Sequence, residues 1–185
     1  MMTGNEQTPT AVLREEHQLI LKVAGRLDEM LTDEERGEEL QFDTLESCIT
    51  FFRLFTDAFH HGKEEDLLFP GLEEEGLPSD SGPIAAFLED HAQGRVYVAD
   101  MVASLEEARA GDAQAGRAVR DAARAYVDLI VDHISREDGI LFDMADNMIT
   151  GSACSTLCSR YDDVCASKFE GKTKADLERL AEAII

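Results

Sequence analysis

The chain has 185 residues, with 39 acidic against 17 basic side chains and a formal net charge of −22. That length fits one domain with a real hydrophobic core plus a short extra element, and the charge argues against nucleic acid and anionic membranes as partners, because both are held by clustered Lys and Arg. No N-terminal apolar segment resembles a signal peptide and no run approaches a membrane span, so the expected location is the cytoplasm.

In chain order, residues 1–9 read as a disordered leader. From Thr10 the positions Leu13, His17, Ile20, Leu21, Ala24, Leu27 and Leu31 follow helical spacing, and the acidic run Asp33–Glu39, containing Gly37, reads as a connector. A second helix is expected from Asp43, burying Leu45, Ile49, Phe52, Thr56, Phe59, His60, Glu64, Leu67 and Leu68, and stopping near Pro70-Gly71. Gly76–Gly82 is a loop, and Ser81-Gly82-Pro83 resembles a helix start, with proline tolerated in the first turn. The third helix carries Ile84, Phe87, His91, Val98, Val102 and Leu105 on one side and ends at Ala110-Gly111-Asp112. The fourth runs from about Gln114 to Met148, with Val119, Ala123, Tyr126, Ile130, His133, Glu137, Leu141 and Met144 inward. Thr150-Gly151-Ser152 is a break, followed by one or two short helices to Ile185. All four prolines precede residue 84. Short connections make consecutive helices antiparallel, so the expected fold is all-α: an up-down-up-down four-helix bundle over residues 10–148, with a helical extension over 149–185.

One histidine falls on each long helix: His17, His60, His91 and His133. Two of them are followed four residues later by an acid, Glu64 and Glu137. Residues four apart share a helix face, so each His-x-x-x-Glu pair aims an imidazole and a carboxylate at one point. The pairs lie in an internal repeat, since residues 60–69 (HHGKEEDLLF) align without gaps on residues 133–142 (HISREDGILF). A lone histidine on an apolar face is an ordinary core residue, and that reading could account for His17 or His91 singly. It does not account for the set, because Glu64 and Glu137 point at the core with no evident cationic partner, and burying an unpaired carboxylate costs several kcal/mol. A pair of metal ions removes that cost. His61 lies about 100° around an α-helix from His60, so it is expected exposed or behind the ligands. Glu65 and Asp138 are likewise rotated off the ligand face, with Asp138 the one still within reach of a bridging position.

Zinc structural sites favour thiolates, and the cysteines lie elsewhere; magnesium and calcium want oxygen ligands. Mixed imidazole and carboxylate in a bundle core suits iron or manganese. The Glu-x-x-His order of ferritin-type bundles is absent, and the order here is reversed.

The elements Arg14-Glu15-Glu16-His17, residues 60–70 (HHGKEEDLLFP), Gly82-Pro83-Ile84 leading to Glu89-Asp90-His91, and Asp132-His133-Ile134-Ser135-Arg136-Glu137-Asp138 resemble the hemerythrin-like cation-binding family over residues 10–148. The resemblance implies a non-haem di-iron centre completed by an oxo, hydroxo or water bridge. Glu64 and Glu137 would bridge the two iron ions, His17 and His60 would bind one, and His91 and His133 the other. Oxygen-carrying members place a fifth histidine four residues after the third-helix one; here that position is Arg95, which has no lone pair for a metal. Four histidines would leave the ion of His91 and His133 more open, with Gly94 adding room. The expectation is therefore a protein that binds or reduces a small oxidant (O2, NO or hydrogen peroxide). The alternative is an iron-handling or redox-sensing module without turnover, including iron donation for iron–sulfur cluster repair. The expected partner is a small diatomic or peroxide ligand, and the expected state a monomer or homodimer.

Four irregularly spaced cysteines do not read as a disulfide framework. Cys154, Cys158 and Cys165 share one face if helical, either as small residues docking that helix or, with Cys48, as a redox- or metal-responsive cluster. Met101, Met144 and Met148 read as core filler, and Tyr126 as a core tyrosine.

Overall fold

A computed structural model describes residues 8–161 and 170–185, and every regular element among them is helical. Helix α1 is Ala11–Glu35. Helix α2 is one long rod: it starts α-helical at Phe42–Phe51, widens to π-helix over Phe52–His61 and again over Glu64–Leu68, and returns to α-helix at Phe69–Glu74. Helix α3 is Gly82–Arg109. Helix α4 is α-helical over Ala113–Arg136, π-helical over Glu137–Leu141 and α-helical again over Phe142–Met148. Two short helices follow, α5 (Gly151–Arg160) and α6 (Lys174–Ile184). None of the described helices is long and apolar enough to cross a membrane.

Side-chain pairs fix the directions. Arg14 pairs with Asp143 near one end of α1 and α4, and Glu34 with Arg120 near the other. Asp43 meets Arg109, whereas Glu65 further along α2 meets Arg95. Asp90 of α3 pairs with Arg136 of α4, and Glu16 of α1 with Lys63 of α2. Each neighbouring pair is antiparallel, so the four long helices form the up-down-up-down bundle that the stripes predict. The turns that reverse the chain place Gly37, Gly76 and Gly111 at φ of 99°, 99° and 95°, where a side chain would be strained. At the last of these, the Asp112 carboxylate accepts from the backbone N–H of Gln114 and Ala115 and caps α4.

The structure departs from the sequence reading at several places. Asp33–Glu35 continue α1 rather than joining the connector. Proline does not stop α2: Pro70 follows the second π-helical stretch and enters the first turn of a new α-helical register, where its missing N–H costs little. Val102 is 48% exposed, at the rim of a pocket rather than in the core. The leader over residues 1–9 falls largely outside the described residues, as does Cys165.

The buried apolar side chains separate into two clusters. The larger fills the end built from Ile20–Leu31, Leu45–Phe59, Val98–Ala108 and Ala115–Ile134, and α6 docks on it through Leu177, Ala181 and Ile184. The smaller packs Leu13, Leu67–Phe69, Leu72, Ile84, Phe87, Leu141 and Phe142 with Leu157 of α5. Between them lies a layer of buried polar residues.

Candidate metal centre

That layer contains His17, His60, His61, Glu64, His91, His133 and Glu137, each at most 5% exposed. The π-helical stretches build it. Glu64–Leu68 and Glu137–Leu141 are both five-residue π segments opening on the acid of a His-x-x-x-Glu pair, so the internal repeat is repeated in backbone conformation as well. Widened turns of this kind are rare and concentrate at functional sites.

The six residues singled out by spacing converge. Glu64 presents Oε1 to His60 Nε2 at 3.2 Å and Oε2 to His91 Nε2 at 3.5 Å. Glu137 Oε2 lies 3.1 Å from His133 Nε2 and 3.5 Å from His17 Nε2. Each carboxylate thus spans two histidines from different helices. One set of donor atoms, from His17, His60, Glu64 and Glu137, lies mutually within 4.8 Å, and so does a second from His61, Glu64, His91 and His133; Glu64 belongs to both.

All four Nδ1 atoms are turned outward onto carboxylates. His17 Nδ1 is 2.8 Å from Asp138, His60 Nδ1 3.0 Å from Glu16, His91 Nδ1 2.8 Å from Glu65, and His133 Nδ1 3.3 Å from Asp90. An N–H donated outward sets the tautomer whose Nε2 lone pair faces inward, the arrangement common behind metal-bound histidines. A second rank of cations holds those carboxylates: Arg14 on Asp138, Lys63 on Glu16, Arg95 on Glu65 and Arg136 on Asp90. Aromatic rings fix the imidazoles further. Phe142 stacks on His17 at 5.0 Å between centroids, and Phe87 meets His133 edge-on at 5.2 Å.

Apart from one another, the inward atoms have nothing to bond. Nε2 of His17, His60, His91 and His133 and both oxygens of Glu64 and Glu137 are buried without a hydrogen-bond partner. Unsatisfied buried polar atoms cost about 1–3 kcal/mol each, so eight converging on one spot is a strong sign that a ligand satisfies them. The donor set, imidazole nitrogen and carboxylate oxygen with no thiolate, fits a first-row metal such as iron.

The charges point the same way. Burial opposes a proton on His60, yet Glu64 and Glu16 outweigh it and hold its pKa up at about 10. His133 is likewise held at about 9, burial being overcome by Glu137 and Asp90. Burial, and then the imidazole of His91, push His61 well below the usual range, and burial followed by His133 does the same to His91. Burial and the charge of Glu137 raise Glu64, whereas Glu137 is held low, against burial, by His133 and His17. Without metal, protons supply positive charge that the two carboxylates demand.

His61 is not where α-helical geometry put it. It is buried, stacked on His91 at 3.8 Å between centroids and 5.6 Å from the ring of His133. The π-helical turn packs more residues per turn than 3.6, so consecutive His60 and His61 both face the interior, one toward α1 and the other toward α3 and α4. Glu65 and Asp138 sit off the ligand face, as expected, but behind the histidines rather than in solvent. Tyr126 is buried against Phe52. Cys48 lies in the core, and Cys154 and Cys158 dock α5 with their sulfurs 3.8 Å apart.

A pocket of about 370 Å³ leads from the surface between α2, α3 and α4 to His61, His91 and His133. Its wall is mostly apolar, including Phe52, Val98, Leu129 and Ile130, with Gly94 beside it.

Residues 8–145 match the family model described as the hemerythrin HHE cation binding domain. An uncharacterized protein of Mycobacterium bovis and two of Mycobacterium tuberculosis are each 23% identical to the chain over 165 residues, covering 87% of it and 64% of their own length.

Proposed function

The chain belongs to the hemerythrin HHE cation-binding domain family, and from that premise we propose that it holds two iron ions and binds or reduces a small oxidant such as O2, NO or hydrogen peroxide. The observation that carries the reading is the convergence of eight buried donor atoms without partners on one layer of the bundle. His17 and His60 would hold one ion, His91 and His133 the other, and Glu64 and Glu137 would bridge them. The bound metal would supply electrons and open coordination positions for a small ligand.

The protein's own residues do the rest. The carboxylates behind each Nδ1 orient the rings and would make Nε2 a more basic ligand. Two apolar clusters above and below the layer exclude bulk water. The apolar pocket favours passage of small uncharged molecules over ions, which would lose hydration on entering.

The test is elemental analysis of protein from iron-replete cells, followed by mixing of the reduced protein with O2, NO and peroxide. Two irons per chain with consumption of one oxidant over many turnovers supports the reading. A stable coloured adduct without turnover would make it a carrier or sensor instead. Absence of iron would overturn the di-iron assignment.

A further inference from the structure

We propose that His61 is a fifth imidazole of this centre, supplied by the π-helical part of α2 to the ion held by His91 and His133. The proposal rests on the di-iron reading above. Its ground is a juxtaposition: His61 shares a 4.8 Å cluster of donor atoms with Glu64, His91 and His133, and is buried among them.

A buried histidine normally bonds through at least one ring nitrogen, because leaving both bare forfeits their hydration. His61 has neither nitrogen satisfied. Its Nδ1 lies 3.6 Å from Asp57 Oδ1, beyond a hydrogen bond yet directed at a carboxylate on the same helix. With Nδ1–H turned to Asp57, Nε2 keeps its lone pair for a ligand. That would give His61 the same outward carboxylate and inward lone pair as the other four histidines.

Arg95 fits this role for His61. It stands where the oxygen-carrying branch is expected to place its fifth histidine, but its guanidinium is taken up by carboxylates. Nε donates to Asp57 and Nη2 to Glu65, both at 2.7 Å. Those are the carboxylates facing His61 and His91. Arg95 is thus a positioning residue that anchors the acids behind two imidazoles, while the imidazole itself comes from α2.

The consequence reverses the expectation drawn from Arg95. Three imidazoles on the ion of His61, His91 and His133 leave the other ion, held by His17 and His60, with the fewer protein ligands. The exchangeable position would then lie on the α1 side.

The experiment uses the full chain loaded anaerobically with ferrous iron. Paramagnetic proton spectroscopy in water shows one strongly shifted, solvent-exchangeable N–H signal for each iron-bound imidazole. Five such signals are expected, falling to four in His61→Gln. In His61→Gly, iron affinity at one position should fall at least about tenfold, and added imidazole should restore it while leaving the wild type unchanged. Four signals in the wild type overturn the proposal, as does a His61→Gln protein that keeps the wild-type set. If His61→Gly does not fold, the signal count in the wild type and His61→Gln still decides. Wild-type protein that binds no iron overturns the underlying di-iron reading; two bound irons with four signals overturn only the fifth ligand.

Discussion

Lys63 donates to Glu16 at 2.5 Å with both side chains buried, and Glu16 in turn faces His60 Nδ1. The other cations behind the histidines, Arg14, Arg95 and Arg136, are each about one-third exposed or more. The support of His60 is therefore the one that depends on a desolvated ion pair.

Replacing Lys63 by Met should leave the Glu16 charge buried with reduced compensation. Breaking such a pair costs about 3–5 kcal/mol; Lys174, 3.7 Å from Glu16, should hold the loss near the lower end. Chemical denaturation of the metal-free protein measures it. A change under about 1 kcal/mol would mean that the pair is not held as described.

Glu64→Gln separates stability from metal binding. Both Glu64 oxygens are buried and face only imidazole nitrogens, and burial together with Glu137 disfavours its charge. Removing that charge should leave metal-free stability unchanged or raise it by about 1–2 kcal/mol, while iron affinity falls by more than about tenfold. Loss of stability with intact iron binding would contradict the assignment.

Iron removal should lower the unfolding temperature. A ligand present at a thousand times its dissociation constant stabilises by about 4 kcal/mol, which for a chain of this size is on the order of 10 °C. Calorimetry with and without chelator gives the difference, and coincident traces would show no coupling between metal and fold.

Filling the pocket should slow a ligand that enters through it. Ala99→Phe places a ring in the apolar channel from an exposed helix position, so iron content should hold. Stopped-flow mixing with NO should then show a rate reduced by about tenfold or more if passage is limiting. An unaltered rate would show that the ligand does not reach the centre through this pocket.

Cys48 should be inert in the folded protein. Burial, the largest influence, pushes its pKa up to about 12. Reactivity follows the thiolate fraction, so alkylation at pH 8 should run about a thousandfold slower than for a free thiol and climb with pH until the thiol ionises. Peptide mass spectrometry after timed labelling checks this, and fast modification at pH 8 would show the core to be open there.

The bundle and the six converging residues were legible in the sequence because both depend on α-helical spacing. His17, His60, His91 and His133 each sit on an apolar stripe, and the repeat relates Glu64 to Glu137. His61 was not legible, because a rotation of 100° per residue turns it outward, and the backbone there does not keep that rotation. The signal available was Ile134, the residue aligned with His61 in the second copy, which is apolar and buried. An inward neighbour at the matching position indicates that the position after the first histidine of each repeat copy faces the core. Pro70 misled for a related reason: it ends a regular α-helix, whereas α2 changes register just before it.

The polar layer also divides the apolar interior into two clusters with no shared members. A domain cut across in this way has a built-in plane of weakness: amides on either side of the layer can exchange with solvent in separate cooperative units rather than together. Ions seated in the layer would tie α1, α2, α3 and α4 at one level and join the halves. Metal occupancy would then set not only how stable the bundle is but whether it opens as one body or as two.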